Sequence, residues 1–263
     1  MYDPPGYLWA MTIAGITAVP VLTCVVLYGG AKRAELGRRR AALLAGGAAV
    51  VFGGWFTASA VIAGHGWYHT RLGHQVPWLP VAVFGFLGTL LALSRIPAVA
   101  RALAAPGMVS RLVLPHSFRV AGVVFLLTMA IGHLPALFAL PAGLGDIAVG
   151  IAAPLVARRL AQGTGRRAAL RFNAFGIADL VVALTLGALT GYQLINLAPS
   201  GAPISELPLV LIPTAVVPLL LALHITSVLA LVRGPRSQSA SAPRTADVTP
   251  LTAVARGDAS RAR

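Results

Sequence analysis

Four ionisable residues lie inside long apolar stretches of this sequence. They are Asp146, Asp179, His133 and His224. A charged side chain is expensive to place in hydrocarbon, so an ionisable residue there is a candidate functional site. Carboxylates and imidazoles give up and take up protons. The four residues therefore predict a proton relay or the binding site of a small substrate.

The depths of these residues follow from the helical rise of about 1.5 Å per residue. His133 and Asp146 lie at similar distances from a turn expected near Leu140, on the outer side. Asp179 and His224 lie eight and nine residues from Arg171 and Arg233, on the inner side. The sequence thus predicts two Asp/His levels, one outer and one inner.

The two aspartate segments resemble each other. Residues 143–150 align with residues 176–183 at a constant offset of 33, with Asp146 over Asp179. Glycine and alanine recur on the same helix face as each aspartate. Small faces let membrane helices approach closely, which would hold the aspartates between helices. Antiparallel copies of one helix have the form of an inverted repeat, a feature associated with transporters.

The same polar residues allow two other interpretations. A protonated or hydrogen-bonded aspartate can join two helices, so the protein could be a non-catalytic membrane component or partner subunit. An intramembrane aspartate can also act as a general acid, in a membrane enzyme with a lipid or isoprenoid substrate.

A separate histidine group lies between the second and third apolar stretches. His65 and His69 are four residues apart and share a face if the helix continues, and His74 follows. This spacing suits a metal ion, although no carboxylate or cysteine accompanies the histidines. Trp67 and Tyr68 between them are typical of the aromatic belt at a membrane surface.

The elements that carry these residues are predicted membrane helices. Of the 263 residues, 57% are hydrophobic and 11% charged, which excludes a water-soluble enzyme. The apolar stretches are continuous, so the fold class is all-α: a polytopic bundle of seven transmembrane helices. The predicted spans are 7–30, 41–64, 76–94, 119–138, 141–157, 172–195 and 207–232. Residues 96–118 are expected to connect two spans through a short interfacial helix near 98–105, and residues 234–263 to form a disordered tail.

The basic residues predict the orientation. Alternate segments between these spans and the tail, with Arg119 at the boundary of the fourth span counted with the preceding loop, hold 20 of the 21 lysines and arginines, leaving Arg71 on the other side. By the positive-inside rule the N-terminus is outside and the C-terminus cytoplasmic, in the plasma (inner) membrane of a bacterium. The net charge of +14 therefore favours anionic lipid at the cytoplasmic face as a partner, not nucleic acid.

The remaining motifs limit the chemistry. A single cysteine, Cys24, excludes an internal disulfide, and no phosphate-binding glycine loop or nucleophile arrangement is present. No cofactor or catalytic residue is predicted. The leading hypothesis is a proton-coupled carrier of a small substrate, with Asp146 and Asp179 exchanging protons and His133 and His224 as relay partners.

Overall fold

The computed structural model describes residues 4–69 and 77–233 and is helical, with no strand in those ranges. The predicted tail and His74 lie outside them. The α-helices are α1 (Gly6–Arg33), α2 (Arg38–Gly64), α3 (Trp78–Leu93), α4 (Pro97–Leu103), α5 (Met108–Leu112), α6 (Val123–Ala130), α7 (Ala136–Ala161), α8 (Arg166–Gly191) and α9 (Val217–Arg233). A 3₁₀ segment (Leu114–Gly122) joins α5 to α6, a short 3₁₀ turn covers Ala202–Ser205, and a π segment (Ile212–Val216) precedes α9.

Six of these helical stretches are long and apolar enough to cross a membrane. They are α1, α2, Met108–Ala130, α7, α8 and Ile212–Arg233. The pair of α3 and α4 is bent by 88° and raises the number to seven if it counts as one span. The all-helical class predicted from the apolar stretches is therefore confirmed, and six to seven helices among the described residues are long and apolar enough to cross a membrane.

Within the described ranges, the helix ends that carry lysine and arginine lie at one end of the bundle, which we call the basic end. A side chain added at Gly30, near the end of α1, would meet the carbonyl of Ala102 in α4 and the side chain of Met108 in α5. Arg166 at the start of α8 donates two hydrogen bonds to the carbonyl of Leu231 near the end of α9, at 3.0 and 3.2 Å. The helix termini that carry arginine and lysine thus lie together.

The fourth membrane helix begins earlier than predicted. The interval 96–118 contains the expected short helix, α4, but from Met108 the chain already forms the next membrane-length stretch. Arg119, which the sequence analysis placed among loop charges, is only 3% exposed inside the bundle. Pro115 does not interrupt the stretch, because it lies at the beginning of the 3₁₀ segment, where its missing N–H is tolerated.

The turn before α7 also differs from the prediction. It lies at residues 131–135, whereas Leu140 is inside α7. Gly132 has φ of +80°, a left-handed conformation that glycine adopts without strain, and it ends α6. Pro135 then precedes the first residue of α7. His133 consequently lies in an exposed turn and not inside a span.

The beginning of α9 is joined to α2 by a hydrogen bond that replaces a missing helical one. In a helix the carbonyl of Thr214 would accept from residue 218, but Pro218 has no N–H. The indole Nε1–H of Trp55 donates to that carbonyl instead, at 2.8 Å. The hydroxyl groups of Ser59 and Thr214 lie 2.7 Å apart beside it. The proline in α9 and the tryptophan in α2 therefore act as a pair.

We expect Trp55→Phe to lower the free energy of unfolding by about 1–3 kcal/mol, because it leaves the buried carbonyl of Thr214 without a donor. Pro218→Ala restores an N–H to that carbonyl, so the Trp55→Phe cost should shrink in the Pro218→Ala background. Unfolding in detergent would be compared with that of Trp67→Phe, which changes an exposed tryptophan. An equal cost in both backgrounds would show that the indole hydrogen bond is not the reason.

Candidate functional site

The candidate site is centred on Arg119, whose side chain is almost completely buried. Its Nε donates to Oδ1 of Asp146 at 2.6 Å, and its Nη2 donates to Oδ2 of Asp179. Its third nitrogen, Nη1, lies 3.4 Å from the carbonyl oxygen of Gly176 and 3.4 Å from Nε2 of His224. One guanidinium thus connects the 3₁₀ segment, α7, α8 and α9. We call Arg119, Asp146, Asp179 and His224 the ion-pair cluster.

The two aspartates meet because α7 and α8 form an antiparallel hairpin. Asp146 lies 16 residues before Gln162, where α7 ends, and Asp179 lies 14 residues after Gly165, where α8 begins. Similar distances from one turn place two residues at nearly the same level, and Arg119 contacts both. The prediction of separate outer and inner levels is therefore wrong. It rested on a turn expected near Leu140 and on an inner boundary at Arg171, whereas α7 begins at Ala136 and α8 begins at Arg166.

The 3₁₀ winding determines what faces the hairpin. A 3₁₀ helix has three residues per turn, so residues three apart lie in one row. His116, Arg119 and Gly122 follow this spacing and are all buried. Runs longer than three or four residues are uncommon in this conformation, and this one has nine. The 3₁₀ segment therefore presents the imidazole of His116, the guanidinium of Arg119 and the open space at Gly122 on one side.

His224 continues the cluster through a directed set of hydrogen bonds. Arginine only donates, so Nε2 of His224 is the acceptor toward Arg119. Nδ1 then carries the hydrogen and donates to Oδ1 of Asn173 at 2.9 Å. Nδ2 of Asn173 donates to Oγ of Ser227 at 3.1 Å and to the carbonyl of Ala169 at 2.8 Å. This pattern corresponds to a neutral imidazole.

His116 is buried without a hydrogen-bond partner. Its ring stacks on the ring of His224 with centroids 3.8 Å apart, and its other neighbour is the edge of Phe172 at 5.7 Å. Neither ring nitrogen has a hydrogen-bonding partner among the described residues, and the residue is 0% exposed. Buried polar groups are nearly always hydrogen-bonded, so this imidazole is an exception that needs an explanation.

Glycines make room for the cluster. A Cβ at Gly145 would lie 2.6 Å from Cγ of Asp179, and one at Gly122 would lie 2.7 Å from Oδ2 of Asp146. A Cβ at Gly176 would overlap the ring of His224, and one at Gly150 would lie 2.6 Å from the backbone nitrogen of Val120. Gly150 and Gly176 lie on the small faces predicted from sequence, whereas Gly122 and Gly145, which adjoin the two carboxylates, lie outside those faces.

A small cavity of about 40 Å³ adjoins the cluster on the side of α1. Arg119 and Asp146 line it, together with Thr12, whose buried hydroxyl has no partner in the described part of the chain. A water molecule needs about 10–15 Å³ on this measure and two to four polar partners. The cavity therefore has room for two or three water molecules next to the carboxylate of Asp146.

The charges of the cluster do not balance. Two carboxylates face one guanidinium, and the neutral form of His224 adds nothing. An uncompensated charge in a protein interior costs on the order of several kcal/mol. One proton shared by Asp146 and Asp179 makes the cluster neutral. The cluster therefore holds one carboxylate more than its guanidinium can neutralise.

The other residues predicted as site residues lie elsewhere. His133 is exposed beyond Ala130, which is eleven residues and about 16 Å along the helix from Arg119. His65 and His69 are exposed in the turn after α2 and lie apart from the cluster. Tyr68 between them is buried, and burial raises the pKa of its phenol. In the described ranges, which omit His74, no group of three metal-ligating side chains occurs.

Sequence reasoning missed Arg119, His116 and Asn173 as members of this site. A signal was available for the arginine. Two carboxylates inside membrane helices require a counter-charge, since intramembrane acids almost always pair. Arg119 is the one lysine or arginine of the sequence that falls within the bounds of a predicted span, the fourth, which begins at this residue. Asn173 carries no charge, and its role depends on the packing of α8 against α9.

The fold and the site define a class: helical proteins with several membrane-length helices and a buried arginine between two aspartates. The chain belongs to the family described as a domain of unknown function, DUF8737, whose model matches residues 76–232. All members of the ion-pair cluster, with His116 and Asn173, lie within the matched range, whereas α1, α2 and Thr12 lie before it. No curated protein and no solved structure matches the chain.

We expect Arg119→Gln to lower the free energy of unfolding by about 3–5 kcal/mol, because it leaves buried carboxylates without their counter-charge. Adding Asp146→Asn and Asp179→Asn should recover most of this loss, since the triple variant buries no charge. Arg101→Gln, which changes an exposed arginine, is the control for unfolding in bicelles. A triple variant as unstable as Arg119→Gln would contradict the ion-pair explanation.

The close approach of α7 and α8 gives a second prediction. Gly145→Ala places a methyl group against Asp179 and should cost about 1–3 kcal/mol of stability, as overpacking does. Gly88→Ala, in α3 with open space around it, should be neutral or slightly stabilising because alanine favours helices. Thermal unfolding in the same detergent measures both. Equal transition temperatures for the two variants would mean that α7 and α8 separate easily at this level.

Proposed function

We propose that this protein is a proton-coupled carrier of a small substrate, and that Asp146 and Asp179 share the coupling proton. The observation that supports this proposal is that two carboxylates, those of Asp146 and Asp179, pair with one buried guanidinium, that of Arg119. With a proton the cluster is neutral and stable in an apolar surrounding. Without this proton the cluster bears one negative charge, which a cationic substrate or a newly bound proton can neutralise.

The groups on two sides of the cluster support this proposal. The cavity with Thr12 adjoins Asp146 on one side. His116 lies one 3₁₀ turn from Arg119 toward α5 and the basic end, stacked on His224. Imidazole is the side chain best suited to pass a proton near neutral pH. A proton route would therefore run through cavity water to Asp146 or Asp179. Its continuation through His224 and His116 would require the two imidazoles to leave their stacked arrangement, because stacked rings share no hydrogen bond.

The helices around the cluster contain the irregular segments that a moving part needs. Arg119 is on a nine-residue 3₁₀ segment, and His224 follows a π segment and Pro218 by a few residues. Such segments are frequent at hinges and functional sites. We propose that they let the two sides of the cluster open in turn, in a seven-span protein of the plasma membrane with N-terminus outside and C-terminus cytoplasmic.

The proton site is tested by pH steps on proteoliposomes adsorbed to a solid-supported membrane. We expect a transient charge displacement in the wild type that Asp179→Asn abolishes, because the asparagine keeps the cluster permanently neutral. This variant should fold, since Arg119 and Asp146 still pair. Glu35→Gln removes an exposed carboxylate outside the cluster and should leave the displacement unchanged.

The carrier is tested in the same proteoliposomes with an imposed pH gradient and a mixture of small metabolites outside. Mass spectrometry of the contents should find a compound that accumulates with the wild type and not with Asp179→Asn. Wild-type charge displacement in both Asp146→Asn and Asp179→Asn would overturn the shared proton and favour a structural cluster. A metabolite that is converted instead of accumulated would favour a membrane enzyme.

A further inference from the structure

A second cavity lies away from the ion-pair cluster, between α2 and α3. It has a volume of about 290 Å³ and is bounded by α1, α2, α3, α4 and α9. The two helices touch near the opposite end, where Trp55 stacks on Phe86 at 4.9 Å. Nearer the basic end the cavity separates them, with Gly47 on one wall and Leu90 on the other. We call this cavity the groove.

The groove is apolar even where its lining residues carry hydroxyl groups. Three hydroxyl groups line it, and each donates to a carbonyl of its own helix: Thr23 to Val19 at 2.8 Å, Thr226 to Ala222 at 2.7 Å and Ser94 to Leu91 at 2.6 Å. Buried water needs two to four polar partners, and these donors are already used. The groove is therefore suited to hydrocarbon and not to water.

The size of the groove favours an alkyl chain. An apolar cavity of about 150 Å³ in another protein stays dry and binds benzene, which has six carbon atoms. On that scale 290 Å³ holds about a dozen carbon atoms, the length of much of a fatty acyl chain. The groove opens between the membrane-length helix α2 and the apolar helix α3, so in a bilayer it would face the hydrocarbon from which such a chain would come.

Positive charge lies where the groove ends. Arg95 stands between Ser94 and Ile96, which both line the groove. Arg101 lies on α4, which turns by 88° from α3 and closes the groove with Val99 and Leu103. Both arginines are exposed. An acyl chain in the groove would therefore have its headgroup beside two free guanidinium groups.

We propose that the groove is a binding site for one acyl chain of an anionic phospholipid, whose phosphate is held at the basic end by Arg95 and Arg101. The apolar lining selects the chain, and the arginines select a negative headgroup. The site uses no member of the ion-pair cluster, so it stands whether or not the protein carries protons. Because α9 supplies Leu219 and Leu223 to the groove and His224 to the cluster, a bound lipid would contact the helix that holds the imidazole.

The site is tested by native mass spectrometry of the full chain with phosphatidylglycerol and phosphatidylcholine of identical chains. The wild type should retain one phosphatidylglycerol in preference to phosphatidylcholine. Gly47→Leu fills the open space in the groove and should reduce retention of both lipids to background. Gly54→Leu, two turns along the same helix and equally open but outside the groove, should bind like the wild type.

The headgroup part is tested separately with Arg95→Gln and Arg101→Gln. Each should lower the preference for phosphatidylglycerol over phosphatidylcholine by about fivefold without abolishing phosphatidylcholine binding. Equal retention of the two lipids by the wild type, or lipid retained by Gly47→Leu at the wild-type level, would overturn the proposal. A wild-type dimer that Gly47→Leu converts to a monomer would assign the groove to a second copy of the chain.

Discussion

A buried arginine between two aspartates is the constraint to which the surrounding helices conform. A guanidinium in an apolar interior is tolerated only when its donors are used, and Arg119 uses them on two carboxylates, a carbonyl and an imidazole. To bring these acceptors within reach, three elements must approach closer than ordinary side chains permit. Gly122, Gly145 and Gly176 supply that space at the 3₁₀ segment, α7 and α8. The charged groups can therefore meet only because glycine occupies these three positions.

The same constraint explains why the site contains irregular helices. In an α-helix residues three apart are offset by about 60° around the axis, so His116 and Gly122 would differ by about 120°, whereas a 3₁₀ helix places His116, Arg119 and Gly122 in one row. On the opposite side, the π segment and Pro218 disturb the start of α9 and leave a carbonyl that Trp55 of α2 must satisfy. The 3₁₀ segment contains Arg119, and the π segment ends eight residues before His224. The ion pairs of Arg119 stabilise the 3₁₀ segment, and the indole of Trp55 stabilises the start of α9.

Two parts of the bundle with opposite character share α9. One face of that helix presents His224 to the cluster, whose members contact one another through hydrogen bonds and ion pairs. The cavity beside the cluster has a volume of about 40 Å³. Another face presents Leu219 and Leu223 to an apolar groove of about 290 Å³. A change in the position of α9 would therefore alter both the hydrogen bond to Arg119 and the volume open to an alkyl chain. The family match includes α9 and the whole cluster but begins after α2.

The sequence by itself determined the helical class, the approximate membrane helices and the small faces beside both aspartates, because apolar length and residue size act locally along a chain. It could also place Asp146 and Asp179 at one level once the α7–α8 turn is put at residues 162–165, since hairpin geometry depends only on the distance to the turn. Only the tertiary structure decided that Arg119 leaves the loop and enters the bundle, that His133 stays outside it, and that Asn173 orients His224. Those outcomes depend on contacts between residues 27 to 105 positions apart, whose energies no local pattern contains.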